Sequence, residues 1–171
     1  MHDKLTKKDL ELMQKELDER RTVLMPKQLE AVKEARAFGD LSENFEYKAA
    51  KQELNKNKGR IRYLENMIRT AVIIDERGGK AGREGGVALY DKVVVYMPED
   101  DETQILQIVT TMRKDPLHGL ISNESPVGKA LLGHKVGDTV HIQVDEHYGY
   151  DMVINSIEKG SDDGSIPLNT Y

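Results

Sequence analysis

The sequence predicts an α+β protein: an N-terminal antiparallel coiled-coil helical hairpin, then a small antiparallel β-sheet domain with one short helix. Three observations carry this expectation. Seam positions recur at alternating steps of three and four over residues 47–71, and a matching apolar row over residues 10–35 mirrors them across a lone glycine. After Ala71 the period changes to that of strands. The chain of 171 residues is 32% charged and only 5% aromatic, with no Trp and two Phe, which is thin for one large core and suits a charged helical element beside a small domain.

The first arm opens with Thr6 and Asp9, spaced to cap a helix reciprocally, and its apolar row runs Leu10, Met13, Leu17, Leu24, Leu29, Val32, Ala35. Pro26 lacks an N–H and is expected to kink or loosen this helix locally. Gly39 is placed to end the arm in a left-handed turn. The second arm carries Tyr47, Ala50, Leu54, Asn57, Ile61, Leu64, Ile68 and Ala71, an unbroken heptad seam. Folding the chain back near residue 41 sets Leu10 against Ala71, Met13 against Ile68, Leu17 against Leu64 and Leu24 against Asn57. Asn57 reads as a polar residue that fixes register. Arms of about 30 residues give a hairpin about 45 Å long at 1.5 Å per residue.

Beyond Ala71, the segments VIID, GVALYDKVVVYM, TQILQIVT, DTVHIQV and YDMVINSIE read as strands separated by Gly, Asp and Pro clusters. SPVGKALLG reads as a short helix, with Ser125 as cap, Pro126 at the first helical position and Gly133 as stop. The expected domains are therefore a hairpin over 1–75, a flexible connection over 76–86, a sheet domain over 87–160 and a mobile polar tail over 161–171.

Residues 1–71 carry 16 Lys and Arg against 13 Asp and Glu, whereas residues 72–171 carry 9 against 17. One half therefore tolerates a polyanion and the other repels it. The absence of Cys excludes disulfides and thiolate zinc sites. Without an apolar run long enough for a signal peptide or a membrane span, the expected location is the cytoplasm.

The turn reads FGDLSENFEYKAAK, residues 38–51. Asp40 and Glu43 stand three apart, which taken alone fits a helix capping box first and leaves open a pair of ligands for a cation. Two carboxylates hold Mg²⁺ weakly by themselves, so a cation site here needs ligands from a partner. Arg36, Tyr47 and Lys51 flank the pair, a combination suited to the end of a nucleic acid.

FGDLSENFEYKAAK closely resembles the hairpin-tip signature of the bacterial Gre transcript-cleavage factors. The likeness continues through GRIRYLENMIRTAVIID and ISNESPVGKALLGHKVGDTV and covers roughly residues 5–158. The resemblance implies a C-terminal domain with an FK506-binding-protein-like fold that docks on RNA polymerase at its secondary channel. It implies that the hairpin enters that channel and that Asp40 and Glu43 help hold a second Mg²⁺ and orient water. The polymerase active site then hydrolyses backtracked RNA, so the factor is an accessory and not itself an enzyme. Arg36, Lys51 and Tyr47 match the family's RNA-contacting positions. The implied partners are RNA polymerase, the nascent RNA 3′ end and DNA within the elongation complex, with no membrane. A hairpin that buries its own seam is expected to be monomeric.

Three features depart from the family pattern: Phe45 beside the acids, the hairpin VDEHYGYD, and the tail after Glu158. Three other readings compete: a Gre-like polymerase-binding regulator without cleavage stimulation, a free-standing coiled-coil adaptor, and a prolyl isomerase or chaperone. The isomerase reading calls for an aromatic apolar pocket, and residues 72–171 contain no Phe or Trp.

Overall fold

The computed structural model describes residues 2–39, 44–76 and 85–170. The chain divides into two compact units, one of residues 10–71 and one of residues 1–9 with 72–170. Residues 1–9 and 72–75, assigned by sequence to the hairpin, thus group with the sheet. The reason is a short parallel pair, β1 (Lys4–Thr6) with β2 (Val72–Ile74). Parallel pairing of segments this far apart in sequence leaves no local signal.

In the helical unit, α1 (Lys7–Glu19), a π-turn (Arg20–Leu24) and α2 (Met25–Arg36) form one arm, and α3 (Phe45–Thr70) forms the other. The α1 start is capped as the sequence predicts. Asp9 N donates to Thr6 Oγ1 at 3.2 Å, and Thr6 N donates back to Asp9 Oδ2 at 2.9 Å. The α3 seam also matches its heptads: Leu54, Asn57, Ile61 and Leu64 are buried, while Tyr47, Ala50, Ile68 and Ala71 are half-buried.

The first arm departs from its predicted seam midway. Met13, Leu17 and Ala35 are buried, but Leu24 and Leu29 are 37% and 49% exposed. Arg20, Met25 and Gln28 take the inward positions between them, and Gln28 Nε2 donates to Glu53 O at 3.3 Å. The cause is the π-turn, in which Met25 N bonds to Arg20 O, a five-residue step. Pro26 has no N–H, and its ring crowds the carbonyl four residues before it. Widening the preceding turn relieves that clash and inserts one residue into the repeat. Asn57 therefore meets Arg20, not Leu24. Arg20 donates to Asn57 Oδ1 at 2.9 Å, and Asn57 Nδ2 donates to Arg20 O at 3.4 Å.

The other unit is built on a five-stranded sheet of order β5-β4-β3-β7-β6, comprising β3 (Lys92–Met97), β4 (Glu102–Val109), β5 (Leu120–Ser122), β6 (Thr139–Gln143) and β7 (Gly149–Glu158). The pairs are antiparallel except β4 with β5, which runs parallel and makes the sheet mixed instead of purely antiparallel. Val93, Val95 and Met97 of β3 face the core with Met152 and Ile154 of β7. A register shift opposite Val94 and Val95 leaves Asn155 and Ser156 both exposed and returns Ile157 to the core side. The segment VALY before β3, read as strand, is instead a buried irregular stretch in which Tyr90 has φ +67°.

Helix α4 (Pro126–Leu131) starts as predicted, with Gly128 N donating to Ser125 Oγ at 3.1 Å, and Gly133 follows it at φ +84°. An added Cβ at Gly128 would stand 2.0 Å from Ser122 O, so only glycine lets α4 pack this closely on the end of β5.

The tail expected to be mobile is tied down. Arg113 is buried; its Nη2 donates to Asp162 Oδ2 at 2.9 Å, and its Nη1 donates to Ile166 O at 2.8 Å. On its other side Arg113 Nε lies 3.0 Å from Asp9 Oδ1, an ion pair without the alignment of a hydrogen bond. Asn169 adds donors to Met112 O at 2.8 Å and to Thr111 O at 2.9 Å. A buried guanidinium needs more acceptors than one carboxylate supplies, and the tail provides them. Asp162→Ala should therefore cost about 3 kcal/mol in urea unfolding, the scale of breaking a buried ion pair. The exposed Glu99→Ala serves as the control, with an expected change within about 0.5 kcal/mol.

Candidate functional site at the hairpin turn

Asp40 and Glu43 lie outside the described residues; the positions on either side of them define the site. Gly39, at φ +116°, follows the end of α2, and Asn44 precedes α3. Asn44 Oδ1 accepts from Tyr47 N at 2.9 Å, and its Nδ2 donates to Ala35 O at 2.6 Å. One side chain thus caps the second arm and braces it to the first. The four-residue connection 40–43 is closed at its base by this amide.

Because α3 begins at Phe45 with Asn44 as its cap, a box beginning at Asp40 would start the helix four residues too early. The capping role is already filled. Sequence reasoning missed Asn44, although Asn is among the best N-cap residues; the acidic pair before it offered a stronger pattern.

The structure brings together Arg36, Tyr47 and Lys51. Arg36 Nη2 donates to the Tyr47 hydroxyl at 3.1 Å, and its guanidinium carbon lies 5.3 Å from the ring centroid. Lys51, one helical turn beyond Tyr47, holds its Nζ 5.7 Å from the same centroid. The Arg36 hydrogen bond, aided by the charges of Arg36 and Lys51, holds the Tyr47 hydroxyl below its usual value despite some desolvation. Arg36, Lys48 and Lys51 make no ion pair among the described residues. Two rings beside them, Phe38 and Phe45, are 78% and 79% exposed, so neither belongs to a core.

Elsewhere, among the described residues, no group of three or more His, Cys, Asp or Glu is placed to hold a metal ion. A groove of about 510 Å³ on the sheet, lined by Lys92, Val94, Ile105, Gln107 and Leu120 among others, carries no Phe, Tyr or Trp ring of the kind a proline pocket uses. No helix among the described residues is long and apolar enough to cross a membrane.

A helical hairpin with two cations and a tyrosine ring gathered beside its turn, in a chain with a second, sheet-based unit, has the features of a binding factor. Models for the transcription elongation factor N-terminal domain and the GreA/GreB C-terminal domain match residues 4–73 and 82–159. The chain belongs to the GreA/GreB transcription elongation factor family. It is 44% identical over 141 residues to the transcription elongation factor GreA of Bacillus cytotoxicus, covering 81% of this chain and 86% of that protein. GreA of Limosilactobacillus fermentum is 43% identical over 132 residues, covering 77% of this chain and 82% of that one. The crystal structure of GreA factor homolog 1 of Thermus thermophilus is 28% identical over 93% of this chain and 100% of its own, with a TM-score of 0.44.

Two outcomes test this geometry. Asn44→Ala should speed amide hydrogen exchange over residues 45–48 by roughly fivefold, the effect of losing an N-cap worth about 1 kcal/mol, with little change near Leu64. In Arg36→Gln the Tyr47 phenol should titrate at higher pH than in the parent chain, read from its ultraviolet absorbance band.

Proposed function

We propose that this factor binds RNA polymerase through its secondary channel and stimulates hydrolysis of backtracked nascent RNA, with the bond cleavage itself carried out in the polymerase active site. The observation that supports it best is the Asn44 cap, which starts α3 at Phe45 without calling on Asp40 or Glu43. Their flanks point the same way. Cations without a carboxylate partner among the described residues, beside a half-buried phenol, suit phosphates and bases.

A Mg²⁺ ion fits the donor set in kind. Carboxylates are the hard oxygen ligands it prefers, and it commonly takes one or two of them with waters and substrate phosphates. Asp40 and Glu43 would hold it jointly with ligands from the polymerase, since two carboxylates alone bind the ion weakly. When bound, such an ion supplies Lewis-acid polarisation and a water of lowered pKa. The chain's own residues do the rest: the two carboxylates orient the water, Arg36 and Lys51 neutralise phosphate charge, and Tyr47 packs against the RNA 3′ end. Ligands on a separate factor permit cleavage when it is bound and leave synthesis undisturbed when it is absent.

The test adds the chain to purified backtracked elongation complexes and follows release of RNA. Asp40→Ala and Glu43→Ala should each lower the stimulated rate at least about 100-fold, the scale of losing one preorganised electrostatic contact, with polymerase affinity largely retained. Parallel loss of affinity would make the acids structural. Tight binding by the parent chain without any release of RNA would favour a regulator that occludes the channel.

A further inference from the structure

Phe45 occupies the first position of α3, almost wholly in solvent, with Lys48 Nζ 5.7 Å from its ring centroid. The ring has no packing role there, and an exposed aromatic at the N-terminus of a helix is not a propensity choice. It stands at the head of a run of α3 whose Tyr47, Lys48, Lys51, Gln52 and Asn55 border an open groove of about 590 Å³. That groove combines cations, amides and a ring, the surface that tracks a single-stranded backbone while rings receive its bases. A neutral protein surface would leave the charges of Lys48 and Lys51 unmatched.

We propose that Phe45 is a specificity-determining residue, a platform on which one base of single-stranded RNA stacks while Lys48 meets the adjoining phosphate. This rests on the functional reading above. Every base offers a π-face, so the platform accepts all four, but the larger purine faces gain more from it. The response of the factor therefore depends on the base that reaches Phe45.

The experiment uses the full chain with elongation complexes backtracked on RNAs whose 3′ segment carries a purine, a pyrimidine or an abasic nucleotide. The parent chain should act fastest on the purine and slowest on the abasic RNA. Phe45→Ala should slow the purine reaction about tenfold, within the range of one lost base–aromatic stack, and bring the three substrates close together. Phe45→Trp should keep the ranking. In a second arm 2-aminopurine replaces the purine, and its fluorescence is read on adding each protein. Quenching by the parent and the Trp variant that is lost in the Ala variant supports stacking even where no RNA is released, so this arm separates the inference from the cleavage reading. Base dependence and quenching unchanged in Phe45→Ala would overturn the proposal. So would a loss of polymerase affinity equal on all three RNAs, which would assign the ring to a protein contact. Helicity by circular dichroism, expected unchanged for an exposed side chain, confirms that each variant is folded.

Discussion

The site at the hairpin turn depends on the phase relation between its two arms, and that relation is set at Pro26. A proline inside a helix cannot donate its backbone bond and pushes against the preceding turn. The chain answers with one five-residue step, Met25 N to Arg20 O, which rotates the rest of the arm by one residue. Without the inserted residue, Leu24, seven residues beyond the buried Leu17, would face α3. With it, Val32 and Ala35 return to the seam and Arg36 comes opposite Tyr47. A local backbone constraint thus fixes which side chains meet about three turns away.

The π-turn lies beside a polar layer. Glu16 accepts from Arg60 Nε at 2.7 Å and from Arg20 Nε at 3.2 Å, and Arg20 reaches on to Asn57. Burial alone would raise the Glu16 carboxyl, but the hydrogen bond and charge of Arg60, joined by Arg20, outweigh it and hold the group ionised below its usual range. Partly buried ion pairs add little net stability, since desolvation offsets much of the attraction. Their use is in register: sliding the arms by one turn would strand Arg60 and Asn57 against apolar neighbours. The layer forbids the slip that an all-leucine seam would tolerate.

The sheet unit solves a related problem with the opposite means. Arg113 lies fully inside, where an unpaired guanidinium is costly, and it is neutralised by Asp9 from the start of α1 and Asp162 from the tail. Asp9 serves twice, because the same carboxylate also closes the Thr6 capping box. Residues from both ends of the chain are in this way held to one buried cation. The tail extends beyond the family match, which ends at residue 159, and it is nonetheless part of the folded unit.

Periodicity and capping chemistry act over a few residues, so the sequence by itself determined the two arms, the α3 seam, the Thr6–Asp9 cap, the Ser125 start of α4 and most strands of the sheet. The tip motif was legible for the same reason: Arg36, Tyr47 and Lys51 are a turn or two from the acids along the chain. What depended on partners distant in sequence was decided only in three dimensions. The β1–β2 pair joins segments 68 residues apart at Lys4 and Val72, and the tail is fixed by an arginine that no pattern near Asp162 announces. The π-turn lies between these cases. Pro26 announced a disturbance, but whether a helix kinks or inserts a residue is settled by what the opposite helix can accept, here the amide of Asn57 and the carbonyl of Glu53. Asn44 was visible as a good cap, yet its second bond to Ala35 exists only because the arms come together, and that bond closes the site.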